Sequence, residues 1–338
     1  MSKNPEETTP AKERGLSRRA FLGGLAAAGA ACLAPGTAKA ATASSAPRTI
    51  ELATLIDLSR CIGCGACVEA CRTRSMDHVP EPVRPIPTMY PARAKPEDFS
   101  DKKHVDDRLT PYTRLFIQSA EVTYQGRTHL VHAPRRCLHC VNPPCAKLCP
   151  FGAARRETNG AVRIDESTCL GGAKCRDVCP WSIPQRQSGV GLYLDLLPAF
   201  AGNGVMFKCD RCQDRVESGG LPACIEACPM DVQQIGPRDE IVARAKTLAA
   251  ERGHFLYGLD ENGGTNTIYL SPVPFELLDA AVGTGPGRPG FPDAPSVMRN
   301  EEKYAAAVLG APLAGIAAGV LAILAGRRKD SQKDRHEP

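Results

Sequence analysis

Fifteen of the sixteen cysteines stand in four groups. They are Cys61, Cys64, Cys67 and Cys71; Cys137, Cys140, Cys145 and Cys149; Cys169, Cys175 and Cys179; and Cys209, Cys212, Cys224 and Cys228. Pro150, Pro180 and Pro229 follow the last cysteine of three groups. This is the spacing of thiolates that hold cubane iron–sulfur clusters. A cube needs sulfurs converging from several directions, so closely spaced cysteines wrap a loop around it. The last cysteine of each group is expected to start a helix that carries it to a neighbouring cluster. Such crossing demands motifs in pairs, and the chain has four. Gly63, Gly65, Gly171 and Gly172 suit tight turns in which backbone N–H groups approach sulfur.

The rest of the chain agrees with an interior built on cofactors. Aromatic residues make up 5% of 338 residues, against 31 glycines and 29 prolines. A loop-rich chain of this kind gains much of its folding free energy from metal–thiolate bonds. The formal charge of +5 resides largely in the first 40 residues; beyond them 36 Lys/Arg face 34 Asp/Glu. That balance excludes a nucleic-acid partner.

Both ends carry addresses. Ser17-Arg18-Arg19-Ala20-Phe21-Leu22, the apolar stretch Leu25 to Ala34 and Ala38-Lys39-Ala40 read as a twin-arginine signal peptide over 1–40, with Cys32 inside it. That route exports folded proteins, so clusters can be loaded in the reducing cytoplasm. An odd set of fifteen cysteines also argues against a disulfide scaffold. Ala305 to Gly326 is free of charge and would make a helix of about 33 Å, enough to span a membrane. Arg327, Arg328 and Lys329 behind it place the tail on the cytoplasmic side. The cysteine body is thereby expected on the periplasmic face of the bacterial inner membrane, held by a single-pass C-terminal anchor. Ala311, Gly315 and Gly319 offer a small-residue face to another membrane helix.

Between the ends the expected fold is α+β, with ferredoxin-like dicluster modules in two pseudo-repeated units, long loops and one C-terminal transmembrane helix. A strand over 50–56 opens a four-cluster domain spanning 41–282. An irregular insertion occupies 80–118, and a hairpin turns at Gln125-Gly126. A second hairpin turns at Asn159-Gly160 inside a central dicluster unit, 137–180. Strands at 232–235 and 267–270 flank a helix from Arg238 to Arg252, with Ile241, Ala245 and Leu248 inward. Residues 283–303 read as a Gly/Pro-rich linker, 304–326 as the membrane helix and 327–338 as a cytoplasmic tail.

The motif order resembles that of four-cluster ferredoxin-type beta subunits of respiratory oxidoreductases, such as formate dehydrogenase and dimethyl sulfoxide reductase. Thr110-Pro111-Tyr112-Thr113, Cys137-Leu138-His139-Cys140, Cys179-Pro180-Trp181-Ser182-Ile183-Pro184, Gly220-Leu221-Pro222-Ala223-Cys224 and Gly263-Gly264-Thr265 are similar to the ferredoxin-like subunits of membrane-bound periplasmic hydrogenases and high-molecular-weight cytochrome complexes. The resemblance implies four ligand sets. Cluster one takes Cys61, Cys64, Cys67 and Cys228; cluster two takes Cys209, Cys212, Cys224 and Cys71; cluster three takes Cys137, Cys140, Cys145 and Cys179. Cluster four keeps Cys169, Cys175 and Cys149, with Gly172 where a cysteine would be expected. The cofactors implied are three [4Fe-4S] clusters plus one [3Fe-4S] or three-Cys-ligated [4Fe-4S] cluster.

The implied role is a non-catalytic electron-transfer subunit between a [NiFe]-hydrogenase and an integral membrane quinone-reactive subunit. A formate dehydrogenase, another molybdopterin catalytic subunit or a cytochrome complex is the alternative partner. A zinc-stabilised binding module is a distant alternative. Lewis-acid catalysis at an open iron would leave three further clusters without purpose. His139 is expected to hydrogen-bond toward a cluster or water, and Trp181 to pack on a cluster loop. No acid–base pair, Ser/His/Asp arrangement or phosphate-binding loop is evident.

Overall fold

The computed structural model describes residues 50–200 and 202–301, with further helical, exposed positions at 303, 304, 308, 311, 315 and 319. The expected signal peptide with Cys32, the cytoplasmic tail and most of the expected membrane helix lie outside the described residues. Among the described residues no helix is long and apolar enough to cross a membrane.

The strands in chain order are β1 (Leu52–Asp57), β2 (Phe116–Tyr124), β3 (Arg127–Arg135), β4 (Ala154–Arg156), β5 (Val162–Ile164), β6 (Gln185–Gln187), β7 (Val205–Phe207), β8 (Gln233–Pro237), β9 (Phe255–Tyr257) and β10 (Thr267–Ser271). The helices are α1 (Ala66–Met76), α2 (Pro144–Lys147), α3 (Lys174–Asp177), α4 (Tyr193–Leu196), α5 (Gln213–Glu217), α6 (Ala223–Glu226), α7 (Arg238–Arg252) and α8 (Phe275–Ala281).

One four-stranded sheet, ordered β8-β1-β10-β9, brings the two ends of the cysteine region together. β1 runs parallel to β10 and antiparallel to β8, pairing Thr54 with Thr267 and with Ile235. Alternation along β1 sends Ala53 and Leu55 toward Ile241 and Ala245 of α7, while Ile56 enters the core on the opposite face. α7 has the expected bounds. Asp239 and Glu240 lie in its first turn, and Gly253 closes it at φ +64°.

The β2–β3 hairpin is longer than its sequence signal, because nine pairs form on either side of Gln125-Gly126, both at positive φ. Its inward residues are Phe116, Gln118, Ala120 and Val122. The insertion expected over 80–118 therefore ends before Phe116. It also does not simply wrap the surface: Met89, Leu109, Tyr112 and Leu115 are buried.

Two further expectations are corrected. Of the last cysteines in each group, only Cys71 lies within a helix. α2, α3 and α6 instead carry Cys145, Cys175 and Cys224, and the final cysteine follows each helix by two residues. These helices are one turn long because the proline after each final cysteine opposes continuation. Second, the linker read from 283 is docked on the body up to Ala294. Phe291 is 2% exposed and packs edge-on against Tyr257 and Tyr269. Arg135 donates to the Gly290 carbonyl, and Leu109 N–H donates to Gly287 O at 2.8 Å. Aromatic burial outweighs the chain entropy that Gly and Pro suggest.

Candidate iron–sulfur sites

Four loops repeat one local geometry. The residue two after the first cysteine of each group has positive φ: Gly63 at +70°, His139 at +51°, Gly171 at +61° and Arg211 at +62°. That turn points its N–H back at sulfur. His139 N donates to Cys137 Sγ and Arg211 N to Cys209 Sγ, both at 3.4 Å. Gly63 and Gly171 make the same bond to Cys61 and Cys169. Gly adopts this conformation freely, whereas His139 and Arg211 each incur about 1–2 kcal/mol. Their side chains are held by buried contacts that offset the strain.

The loops enclose sulfur-lined cavities. Cys61, Cys64, Cys67 and Cys228 line one recess. Cys71, Cys209, Cys212 and Cys224 line a second. Cys137, Cys140, Cys145 and Cys179 line a third, closed by Pro180 and Trp181. Cys169 and Cys175 share an apolar cluster with Cys149, which also includes Cys145 of the third set. Beside this last trio Gly172 is exposed, and a Cβ there would meet only Phe151, at 4.0 Å. None of the fifteen cysteines in the described residues is disulfide-bonded.

Charge distinguishes these cavities from ordinary core. Burial, then neighbouring sulfurs, push the thiols of Cys67 and Cys140 up to about 12; Cys179 is pushed to about 11. Positive charge among the sulfurs is what lets them ionise together. The surrounding protein supplies part of it. Arg136, Lys208 and Arg211 are buried, and among the described residues none pairs with a carboxylate. Arg136 Nη1 donates to Cys224 Sγ at 2.8 Å, while its Nε and Nη2 have no partner. Burial opposes the charges of Arg136 and Lys208, yet nearby sulfurs hold both above their usual values. Buried cations without carboxylates require anions, and sulfur-bound clusters are anions in the right place. The donors present therefore fit iron–sulfur clusters.

Two models described as 4Fe-4S dicluster domains match residues 60–153 and 128–238. The hydrogenase-2 operon protein HybA of Escherichia coli O157:H7 is 29% identical over 258 residues, covering 66% of this chain and 70% of HybA. A component of the anaerobic dimethyl sulfoxide reductase of Escherichia coli (strain K12) is 31% identical over 204 residues, covering 59% and 82%. The thiosulfate reductase electron transfer subunit PhsB of Salmonella typhi is 32% identical over 185 residues, covering 54% and 74%. The chain belongs to the ferredoxin-type iron–sulfur electron-transfer subunits of respiratory oxidoreductases.

Burial, with Arg211 and Lys208 nearby, holds the His139 imidazole well below its usual pKa and so neutral. Val162 N–H donates to its Nδ1 at 2.9 Å, leaving the proton on Nε2. Trp181 packs on the third cavity and donates to Tyr257 Oη at 2.7 Å. Sequence reasoning passed over Arg136, Lys208, Arg211 and Asn262. Asn262 Nδ2 donates to Cys140 Sγ at 3.3 Å, from the turn that contains Gly263-Gly264-Thr265. A cue existed for two of them: Arg136 and Lys208 immediately precede the first cysteines of their motifs.

Proposed function

We propose that this electron-transfer subunit is a four-cluster wire with three [4Fe-4S] clusters and one [3Fe-4S] or three-thiolate [4Fe-4S] cluster. The observation that supports this reading is that three recesses are each lined by four cysteines from two motifs, while Cys149, Cys169 and Cys175 lie in one apolar cluster that also reaches Cys145. The ligand sets are those implied by the family resemblance, with Gly172 at the open corner of the fourth. Sets one and two share backbone through Cys67 and Cys71 on α1, and sets three and four through the segments 145–149 and 175–179. When bound, the clusters accept and release single electrons. The protein holds their sulfurs, donates N–H groups to them and screens them from water.

The catalytic partner in this reading is a [NiFe]-hydrogenase, supported by the likeness to HybA. A molybdopterin enzyme is the second reading, supported by the likeness to the dimethyl sulfoxide reductase component. Twin-arginine export of 1–40, a domain over 41–282, a membrane helix over 304–326 and a quinone-reactive membrane partner complete the proposal. Val308 is helical and 72% exposed, which suits a helix that stands in lipid.

Anaerobic purification in mild detergent tests the reading. Iron, acid-labile sulfide, a three-iron paramagnetic signal and a co-purifying hydrogenase are expected. A colourless preparation without sulfide overturns the wire, and a molybdenum enzyme in place of the hydrogenase overturns the partner.

A further inference from the structure

The cysteine sets are joined in two different ways. Sets one and two share α1 and the segment 224–228, and sets three and four share 145–149 and 175–179. Sets two and three share no motif. Two side chains cross between them in opposite directions. His139, in the loop between Cys137 and Cys140, places Nε2 3.7 Å from Cys209 Sγ. Lys208, next to Cys209, places Nζ 3.5 Å from Cys137 Sγ.

Their chemistry is specified by what else they touch. Val162 N–H occupies His139 Nδ1, so the ring N–H faces Cys209, while the His139 backbone N–H donates to Cys137. One residue thus hydrogen-bonds sulfurs of both sets. The other N–H groups of Lys208 go to Val162 O and, at 3.0 Å, to Cys209 O. His139 also accepts a left-handed backbone, where glycine would cost less.

We propose that His139 and Lys208 form the electron junction between the two halves of the wire, with Lys208 setting the potential of the cluster on Cys137. This rests on the cluster assignment above. Reduction adds one negative charge to a cluster, and a buried ammonium beside its ligand stabilises that state. A hydrogen bond to a ligand sulfur acts in the same direction. With clusters bound, a single electron would pass from one to the other; both His139 ring nitrogens and the Lys208 ammonium are already engaged, so the crossing would require no proton.

The test is a paramagnetic redox titration of the intact complex, with iron and sulfide measured on each sample. In Lys208→Met the midpoint of one cluster shifts to more negative potential while the others hold, and Lys208→Arg recovers part of the shift. His139→Leu slows equilibration of electrons between the halves after rapid photoreduction, and His139→Gln, whose amide N–H reaches sulfur, restores it. Unchanged midpoints and equilibration with intact clusters overturn the junction, as does an equal shift of every cluster. If Lys208→Met loses a cluster, the His139 pair decides alone. Wild-type protein without iron and sulfide would instead remove the cluster reading itself.

Discussion

Arg136 places Nη1 2.8 Å from Cys224 Sγ with its whole side chain buried, so the second cysteine set carries its own counter-ion. Arg136→Met removes that charge and leaves a comparable volume. Breaking one side of a buried ionic contact costs about 3–5 kcal/mol. Anaerobic thermal unfolding should register that loss, and iron analysis should show depletion at one cluster. Wild-type stability and full iron would mean the contact is incidental.

Adjacent glycines in the third motif should behave oppositely. Gly172 is exposed and its Cβ would be nearly free, so Gly172→Cys should fold normally and convert a three-iron signal to a four-iron one. Gly171 has φ +61°, and a Cβ there would lie 2.4 Å from Gly204 O. Gly171→Ala should therefore lose at least about 1–3 kcal/mol. An unchanged spectrum in the cysteine variant would refute the open corner.

Phe291 anchors the segment that follows α8. Truncating a fully buried aromatic costs about 3–5 kcal/mol. Phe291→Ala should expose the segment 283–295 to limited proteolysis well before the cysteine body is cut. Equal resistance in variant and wild type would return this segment to a free tether.

Asp107 ties the same segment to the insertion through Arg288, and accepts from Arg108 Nε at 2.8 Å. The Arg108 hydrogen bond leads the causes that bring its carboxyl from 3.8 down to about 2. A carboxylate depressed on folding contributes fully above its unfolded value of 3.8, and progressively less as pH falls through that value toward about 2. Docking should thus be flat from about pH 5 to 8. Asp107→Asn mimics the acid form at neutral pH, where clusters survive. Both partners are well exposed, so the effect should be at most about 1 kcal/mol, read as slightly faster hydrogen exchange near Gly287. A tenfold or larger change, about 1.4 kcal/mol, would show that the pair matters more than screening allows.

Much of the molecule was legible from local signals. Cysteine spacing carried the loop geometry, because each turn is closed within three residues. The bounds of α7 follow from its acidic first turn and Gly253, and both hairpins turn where Gln125-Gly126 and Asn159-Gly160 predict. The β6–β7 hairpin escaped because its strands are three residues each, separated by a long irregular stretch that includes α4. The burial of Arg135, Arg136, Lys208 and Arg211 escaped because such residues are ordinarily solvated.

By itself the sequence determined the ligand chemistry and the four cysteine motifs, since ligand type and short spacing belong to the chain. Only the tertiary structure decided which charges enter the interior, which aromatic residues hold the segment after α8, and how His139 and Lys208 cross between the halves. Those contacts join residues far apart in sequence, such as Arg136 with Cys224. Their existence depends on burial, and burial is a property of the folded whole.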